Sequence, residues 1–489
     1  MKRKLAILLA MIMIANVFGL SSCNNAEPDK GSSQYTDSLS EQDTQSVLAE
    51  SNGLNNESLV SNESAGSTLE STASSTTSKQ TSNNSNSSKT TSKGNTSSKA
   101  DLSKYKGSTI KLLLWYKPSD NEQAVINKFI KDTNINVKIT RTSNSQYLQR
   151  ASSMIATNDS PDLIKMEGKH FPMMITKKII QTIDAGKFNL EDSDYAIELM
   201  DLFKWGGKYY GVNVKGSTFT DMYMFYYNKT MFDNRGVKTP MKLWQENNWN
   251  WDTFLETAKK MTFTQQGKQV YGFCTYAPMA WMLSAGVDFV DINGTSIKNT
   301  MNDPKVLKAW QWVCDLRTKH KVDMAKDDCL DQEFIQRQVA MCGAGQFFAW
   351  KGGSFDTQMT DKWDAVPWPC PKGQEYVLPV GGVVWCLGAG AKNPEAAAAF
   401  IRYWLDPDNL VSEQVAQESM KSTLDWMWNA KKKSLMSSGI LDFGGSGDYS
   451  KLTKQLANST AEQVSTELGT WSKKLDGYIN TVENEIPKK

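Results

Sequence analysis

Residues 109–166 alternate apolar runs of strand length with helical periodicities, and this alternation restricts the fold more than any other feature. Residues 109–116 carry Ile110, Leu112, Leu113, Leu114 and Trp115 and read as a buried strand. Pro118-Ser119-Asp120 breaks that strand and offers a helix N-cap. Val125, Ile126, Phe129 and Ile130 then recur at helical spacing. Residues 137–140 read as a second strand. Tyr147, Leu148, Ala151, Met154 and Ile155 mark a second helix, and residues 162–166 a third strand. A β-α-β-α-β order predicts an α/β fold built on a mostly parallel sheet. Ligands of such sheets gather beyond the carboxyl ends of the strands. That rule singles out Trp115 and Tyr116 after the first strand, and Glu167 after the third.

The first hundred residues are of another kind. Lys2, Arg3 and Lys4 precede an apolar stretch, residues 5–20, interrupted only by Asn16 and Gly19. This is the pattern of an export signal, short for a membrane span and followed by small residues rather than charges. Leu20-Ser21-Ser22-Cys23 closes it and resembles a bacterial lipobox, in which the cysteine thiol carries diacylglycerol and the chain is cut just before it. The alternative is an ordinary signal peptide cut near Ser22, leaving Cys23 as a free thiol. Residues 24–100 are dominated by Ser, Thr and Asn and poor in large apolar side chains, as in Ser82-Asn83-Asn84-Ser85-Asn86-Ser87-Ser88. Such a stretch cannot bury enough surface to offset its ordering entropy and reads as a disordered tether. A flexible chain of this length spans roughly 50 Å. The expected organisation is a signal peptide over residues 1–22, the lipidated Cys23 with its tether to residue 102, and a globular part over 103–489.

A globular part of about 390 residues is long for one core and suggests two lobes. Fifty-five basic and 53 acidic residues give a formal charge of +2, which argues against a nucleic-acid partner. Seven cysteines are present. With Cys23 set aside, Cys274, Cys314, Cys329, Cys342, Cys370 and Cys386 are scattered without metal-type spacing and read mostly as buried free thiols. Only two histidines occur, His170 on an expected surface loop and His320 between two lysines, and neither has a nearby ligand partner, so no metal site and no cofactor is expected. The acidic run Asp323, Asp327, Asp328, Asp331 and Glu333 lacks the glycine and spacing of an EF-hand and reads as a solvated face. No nucleophile elbow or phosphate loop is present.

Further motifs follow in a fixed order: Ser160-Pro161-Asp162-Leu163, Gly207-Lys208-Tyr209-Tyr210-Gly211-Val212, Tyr226-Tyr227-Asn228-Lys229, Asn250-Trp251-Asp252-Thr253-Phe254, Pro367-Trp368-Pro369, Gly381-Gly382 and Lys392-Asn393-Pro394-Glu395. Together they resemble the family 1 extracellular solute-binding proteins of ABC importers, the group that includes maltose-binding proteins. One departure is the extra Trp244-Gln245-Glu246-Asn247-Asn248 before Trp251. The resemblance implies a two-lobed periplasmic-binding-protein-like fold of type II. The first lobe would hold about residues 103–216 and 384–424, the second about 221–379 and 428–489. Chain crossings fall near 214–221, 378–383 and 422–428.

The resemblance also implies a carbohydrate ligand, mono- or oligosaccharide, delivered to ABC permease subunits, with no catalysis by this chain. Sugars offer apolar faces to aromatic rings and hydroxyl edges to carboxylates and amides. Trp115, Tyr116, Glu122 and Glu167 are the expected ligand residues of the first lobe. Asp221 lies beside the first crossing, Trp281 where relatives place an aromatic, Gln346 and Trp350 beyond a strand end, and Trp385 after the Gly-Gly pair. Each has a structural alternative: core packing for the tryptophans, helix-dipole support for Glu122, a solvated loop for Glu167. The expected location is the outer face of a bacterial cell membrane, of Gram-positive type. The same fold binding a non-sugar solute, or sensing a ligand for a signalling partner, is the alternative function.

Overall fold

The structure is a computed structural model that describes residues 102–118, 120–143, 146–188, 190, 195–214, 222–324, 331–349, 353–404, 423, 426–427, 429–442 and 446–485. The export signal, Cys23, the tether, Asp221, Cys329 and Trp350 lie outside the described residues. In chain order the strands are β1 (Thr109–Leu114), β2 (Asn136–Arg141), β3 (Leu163–Glu167), β4 (Ile180–Gln181), β5 (Lys204–Trp205), β6 (Lys208–Tyr209), β7 (Tyr223–Asn228), β8 (Phe263–Gln265), β9 (Lys268–Thr275), β10 (Val290–Asn293), β11 (Ser296–Asn299), β12 (Val339–Gly345), β13 (Trp363–Pro367), β14 (Val377–Val380), β15 (Val383–Gly388) and β16 (Lys431–Ser434).

Two five-stranded sheets carry the two lobes. The first has the order β2-β1-β3-β15-β4. β1 pairs in parallel with β2 and β3, as the β-α-β-α-β pattern predicts. β15 arrives from far along the chain and inserts antiparallel beside β3. Helices Asp120–Thr133 and Pro394–Trp404 pack over one face, and Tyr147–Ala156 covers the other. Leu112, Leu113 and Leu114 are therefore all fully buried, which is why β1 reads as a continuous apolar run.

The second sheet has the order β13-β7-β12-β9-β8. β9 and β12 are parallel, while β7 runs antiparallel to β12 and β13. All six residues of β7 are buried. The long helices Pro304–Thr318 and Val464–Glu485 belong to this lobe and pack against each other. Residues 171–180 form the short helix Met173–Thr176 and then turn into β4, which pairs with β15.

The chain crosses between the sheets at defined places. Before the first crossing, Val212 donates its N–H to the Trp385 carbonyl at 2.8 Å, and Trp385 returns the bond at 3.0 Å. After it, Met222 bridges Val380. Gly381 and Gly382 alone join β14 to β15. Gly382 has φ +72°, and a Cβ there would lie 2.9 Å from the Phe203 ring. Gly168 donates its N–H to the Gly381 carbonyl at 2.9 Å. A side chain on Gly168 would come within 2.5 Å of that oxygen.

Candidate functional site

The Gly381-Gly382 link fixes how the two sheets present their ends. Glu167, the last residue of β3, pairs with Val383 on one side of the link. On the other side Val380 bridges Met222, whose carbonyl accepts the Gln346 N–H at 2.9 Å, just beyond β12. The carboxyl ends of β3 and β12 thus meet at one crossing, as a cleft between two α/β lobes requires.

On the first lobe, β1 runs out into Trp115 and Tyr116, both half-buried. Trp115 packs edge-on against Tyr147, with ring centroids 5.2 Å apart at 86°. Tyr147 is anchored by its hydroxyl, which donates to the Leu113 carbonyl at 2.7 Å. His170 stacks on Tyr147 at 5.8 Å and 20°. His170 is buried, which corrects the surface-loop expectation. Burial lowers its pKa to about 4, with the charge of Lys169 adding to the effect. The ring is therefore neutral at pH 7. Glu167 is half-buried and ion-paired with Lys169.

Tyr116, Glu122 and Trp385 are brought together, around a residue that sequence reasoning missed. Lys165, in the middle of β3, is 1% exposed. Its Nζ donates to the Tyr116 hydroxyl at 2.6 Å, and Tyr116 donates onward to Glu122 Oε1 at 2.9 Å. The ammonium also lies 4.7 Å from the Tyr116 ring centroid and 5.0 Å from that of Trp385. Glu122 and Trp385 are buried. Glu122 accepts a phenol, and Trp385 packs on Lys165 and, at 5.9 Å, on Trp404. Both form the body of the wall behind Tyr116, which corrects the expectation that they face ligand.

On the second lobe β9 and β12 end at Tyr276 and at Gly345-Gln346-Phe347. Tyr276 and Phe347 are half-buried. Tyr276 accepts the Gly345 N–H on its hydroxyl at 2.9 Å and meets Tyr223 edge-on at 6.3 Å. Gln346 is 3% exposed. A Cβ on Gly343 would strike the Trp368 ring at 2.4 Å, and one on Gly345 the Phe347 ring at 2.3 Å. These glycines make room for the protein's own aromatics.

Trp281 is not at the cleft. It is 1% exposed and sits inside an aromatic cluster, 4.7 Å from Phe254, 5.4 Å from Trp368 and 6.0 Å from Phe225. Tyr276, five residues earlier, holds the strand-end position that the carboxyl-end rule would have selected.

Other expectations also change. Within the acidic run Asp323 is buried and ion-paired with Arg317 at 3.2 Å, and Glu333 is buried as well. This part of the run is therefore not a solvated face. Cys314, Cys342, Cys370 and Cys386 are buried free thiols, whereas Cys274 is disulfide-bonded. Among the described residues no group of three His, Cys, Asp or Glu could hold a metal ion, and no helix is long and apolar enough to cross a membrane.

Comparison with known proteins bears on this arrangement. The bacterial extracellular solute-binding protein family matches residues 124–413, more than half of the chain. The chain belongs to that family. Its members and structural neighbours are substrate-binding transport proteins. An ABC substrate-binding protein of Listeria monocytogenes in complex with cycloalternan superposes with a TM-score of 0.59 at 18% identity, covering 76% of this chain and 99% of that one. The galacto-N-biose-/lacto-N-biose I-binding protein of the ABC transporter of Bifidobacterium longum, in complex with lacto-N-biose, gives 0.58 at 17% identity over 76% and 97%. UgpB of Mycobacterium tuberculosis in complex with glycerophosphocholine gives 0.58 at 15% over 76% and 98%. This solute-binding protein thus has the two-lobed fold of periplasmic binding proteins.

Proposed function

We propose that this solute-binding protein captures a mono- or oligosaccharide between its lobes and delivers it to the permease subunits of an ABC importer. The observation that carries this reading is that the carboxyl ends of β3 and β12 meet at the Gly381-Gly382 link, while half-buried aromatics, Trp115 and Tyr116 on one sheet and Tyr276 and Phe347 on the other, stand at strand ends. Aromatic faces suit the apolar faces of sugars. The ligands in the Listeria and Bifidobacterium neighbours, cycloalternan and lacto-N-biose, support a carbohydrate. Glycerophosphocholine in UgpB supports the second reading, a non-sugar solute on the same fold. Ligand touches both lobes only when they close, so binding shifts the population toward closure. The chain performs no chemistry on what it carries; ATP is used by partner subunits.

In this reading Cys23 carries diacylglycerol and holds the protein to the outer face of the cell membrane through the residue 24–102 tether. The lobes divide at about residues 216–221, 379–384 and 424–428. Trp115, Tyr116, Glu167, Asp221 and Trp350 complete the ligand surface with Tyr276 and Phe347, and the buried Gln346 backs it. A thermal-shift screen over maltotetraose, cellotetraose, xylotetraose, mannotetraose and glycerophosphocholine tests the ligand. A true ligand at 100 times its dissociation constant stabilises by about 2.7 kcal/mol. A shift with a tetrasaccharide supports the sugar reading; a shift with glycerophosphocholine alone replaces it.

A further inference from the structure

Lys165 poses a question that ligand capture alone does not answer. β3 reads Leu163-Ile164-Lys165-Met166-Glu167, and its lysine is as buried as its apolar neighbours. Burying an ammonium is costly unless it is paired and hydrogen-bonded. Part of the compensation comes from two aromatic faces and a phenol. Tyr116 supplies a hydrogen bond at 2.6 Å and a ring at 4.7 Å. Trp385, directly opposite Lys165 in the β3–β15 register, supplies a ring at 5.0 Å. Such contacts strengthen when desolvated.

The two aromatics stand at different places in the machine. Tyr116 lies at the cleft edge of the first lobe. Trp385 lies just past Gly382 and exchanges both backbone hydrogen bonds with Val212, just before the first crossing. One buried cation therefore ties a ligand-facing ring to the strands that enter and leave the hinge. We propose that Lys165 is a positioning residue. It fixes the Tyr116 ring for ligand and couples that ring to the hinge strands through Trp385. Glu122 completes the clamp by accepting the Tyr116 hydroxyl at 2.9 Å. The inference rests on the sugar-capture reading for its ligand and on the described geometry for its mechanism.

The test begins with calorimetric titration of the unaltered protein with maltotetraose, cellotetraose, xylotetraose and mannotetraose. Binding of any one sustains the sugar reading, and that sugar becomes the probe. Lys165→Met is then expected to weaken it about ten-fold. Tyr116→Phe, which keeps the ring and removes the hydroxyl, is expected to weaken it by a similar factor. The double variant loses no more than either single one, and Lys165→Arg recovers most of the loss. Multiplying losses in the double variant, or unaltered affinity in Lys165→Met, overturns the proposal. If Lys165→Met does not fold, unaltered affinity in Tyr116→Phe overturns it alone. If none of these sugars binds, the sugar reading fails separately, and hydrogen exchange of the ligand-free protein reads Lys165. Lys165→Met, but not Lys165→Arg, is expected to speed exchange at Val212 and Trp385 while leaving β7 unchanged. Uniform acceleration or none overturns the coupling.

Discussion

His170 shows how much a single residue's setting can differ from its sequence neighbourhood. Flanked by Lys169 and three residues past Glu167, it would be expected in water. The protein buries it against Tyr147, and its Nδ1 has no hydrogen-bond partner. Its pKa falls from 6.5 to about 4. The unfolded chain therefore binds a proton that the folded chain refuses between those values. Stability is highest above pH 6.5 and falls as pH drops toward 4, by about 3 kcal/mol from this group. Urea midpoints measured from pH 7 to 4.5 should fall, and His170→Phe should flatten the slope. Trp281 makes the same point for an aromatic. Trp281→Phe should lower the melting temperature through the cavity it leaves, yet leave ligand affinity unaltered, as calorimetry with the identified ligand would read. Lost affinity would return Trp281 to the cleft.

Local chemistry explains several elements almost completely. The Asn250-Trp251-Asp252-Thr253 motif is a capping box: Asn250 accepts the Thr253 N–H at 3.3 Å, and Thr253 Oγ1 accepts the Asn250 N–H at 3.1 Å. The helix Trp251–Lys260 begins there for that reason. Asn250→Ala should cost about 1 kcal/mol, read as a lower urea midpoint. The Gly381-Gly382 pair is legible as a crossing, but the reason for Gly382 is tertiary. Its φ of +72° and the nearby Phe203 ring leave no place for a Cβ. Gly382→Ala should destabilise by on the order of 1–3 kcal/mol. It should also alter ligand-driven closure, which fluorescence energy transfer between labels on the two lobes would detect.

At the scale of the molecule, the fold arises because strands distant in sequence finish each other's sheets. β15 lies far along the chain from β3, yet Trp385 and Lys165 pair in register. Distant segments also pack closely beside the Gly381-Gly382 link. Gly439, in the helix Ser437–Leu441, sits so close to Lys169 and Phe171 that a Cβ there would strike the Lys169 carbonyl at 2.1 Å. Asp288 accepts the Met436 and Ser437 N–H groups at 2.9 Å each, which fixes the start of that helix. Membrane attachment belongs to this scale as well. Cys23→Ala should release the protein into the medium, and retention in the membrane fraction of cells carrying the variant would remove the lipid anchor from the proposal.

The sequence alone determined the α/β class, the β-α-β-α-β order of residues 109–166, and Trp115 and Tyr116 at a strand end. Periodicity, proline breaks and caps act over a few residues, so they are written locally. Only the tertiary structure decided which aromatics are buried in a lobe and which stay partly exposed at a strand end. Trp281 and Trp385 each sit beside apolar residues, and no local pattern says which neighbour will cover them. Lys165 was hidden for the same reason. A lysine in a strand reads as an edge charge until β15 and the turn after β1 place Trp385 and Tyr116 around it. Burial of that kind depends on segments distant along the chain, and no stretch of sequence carries it alone.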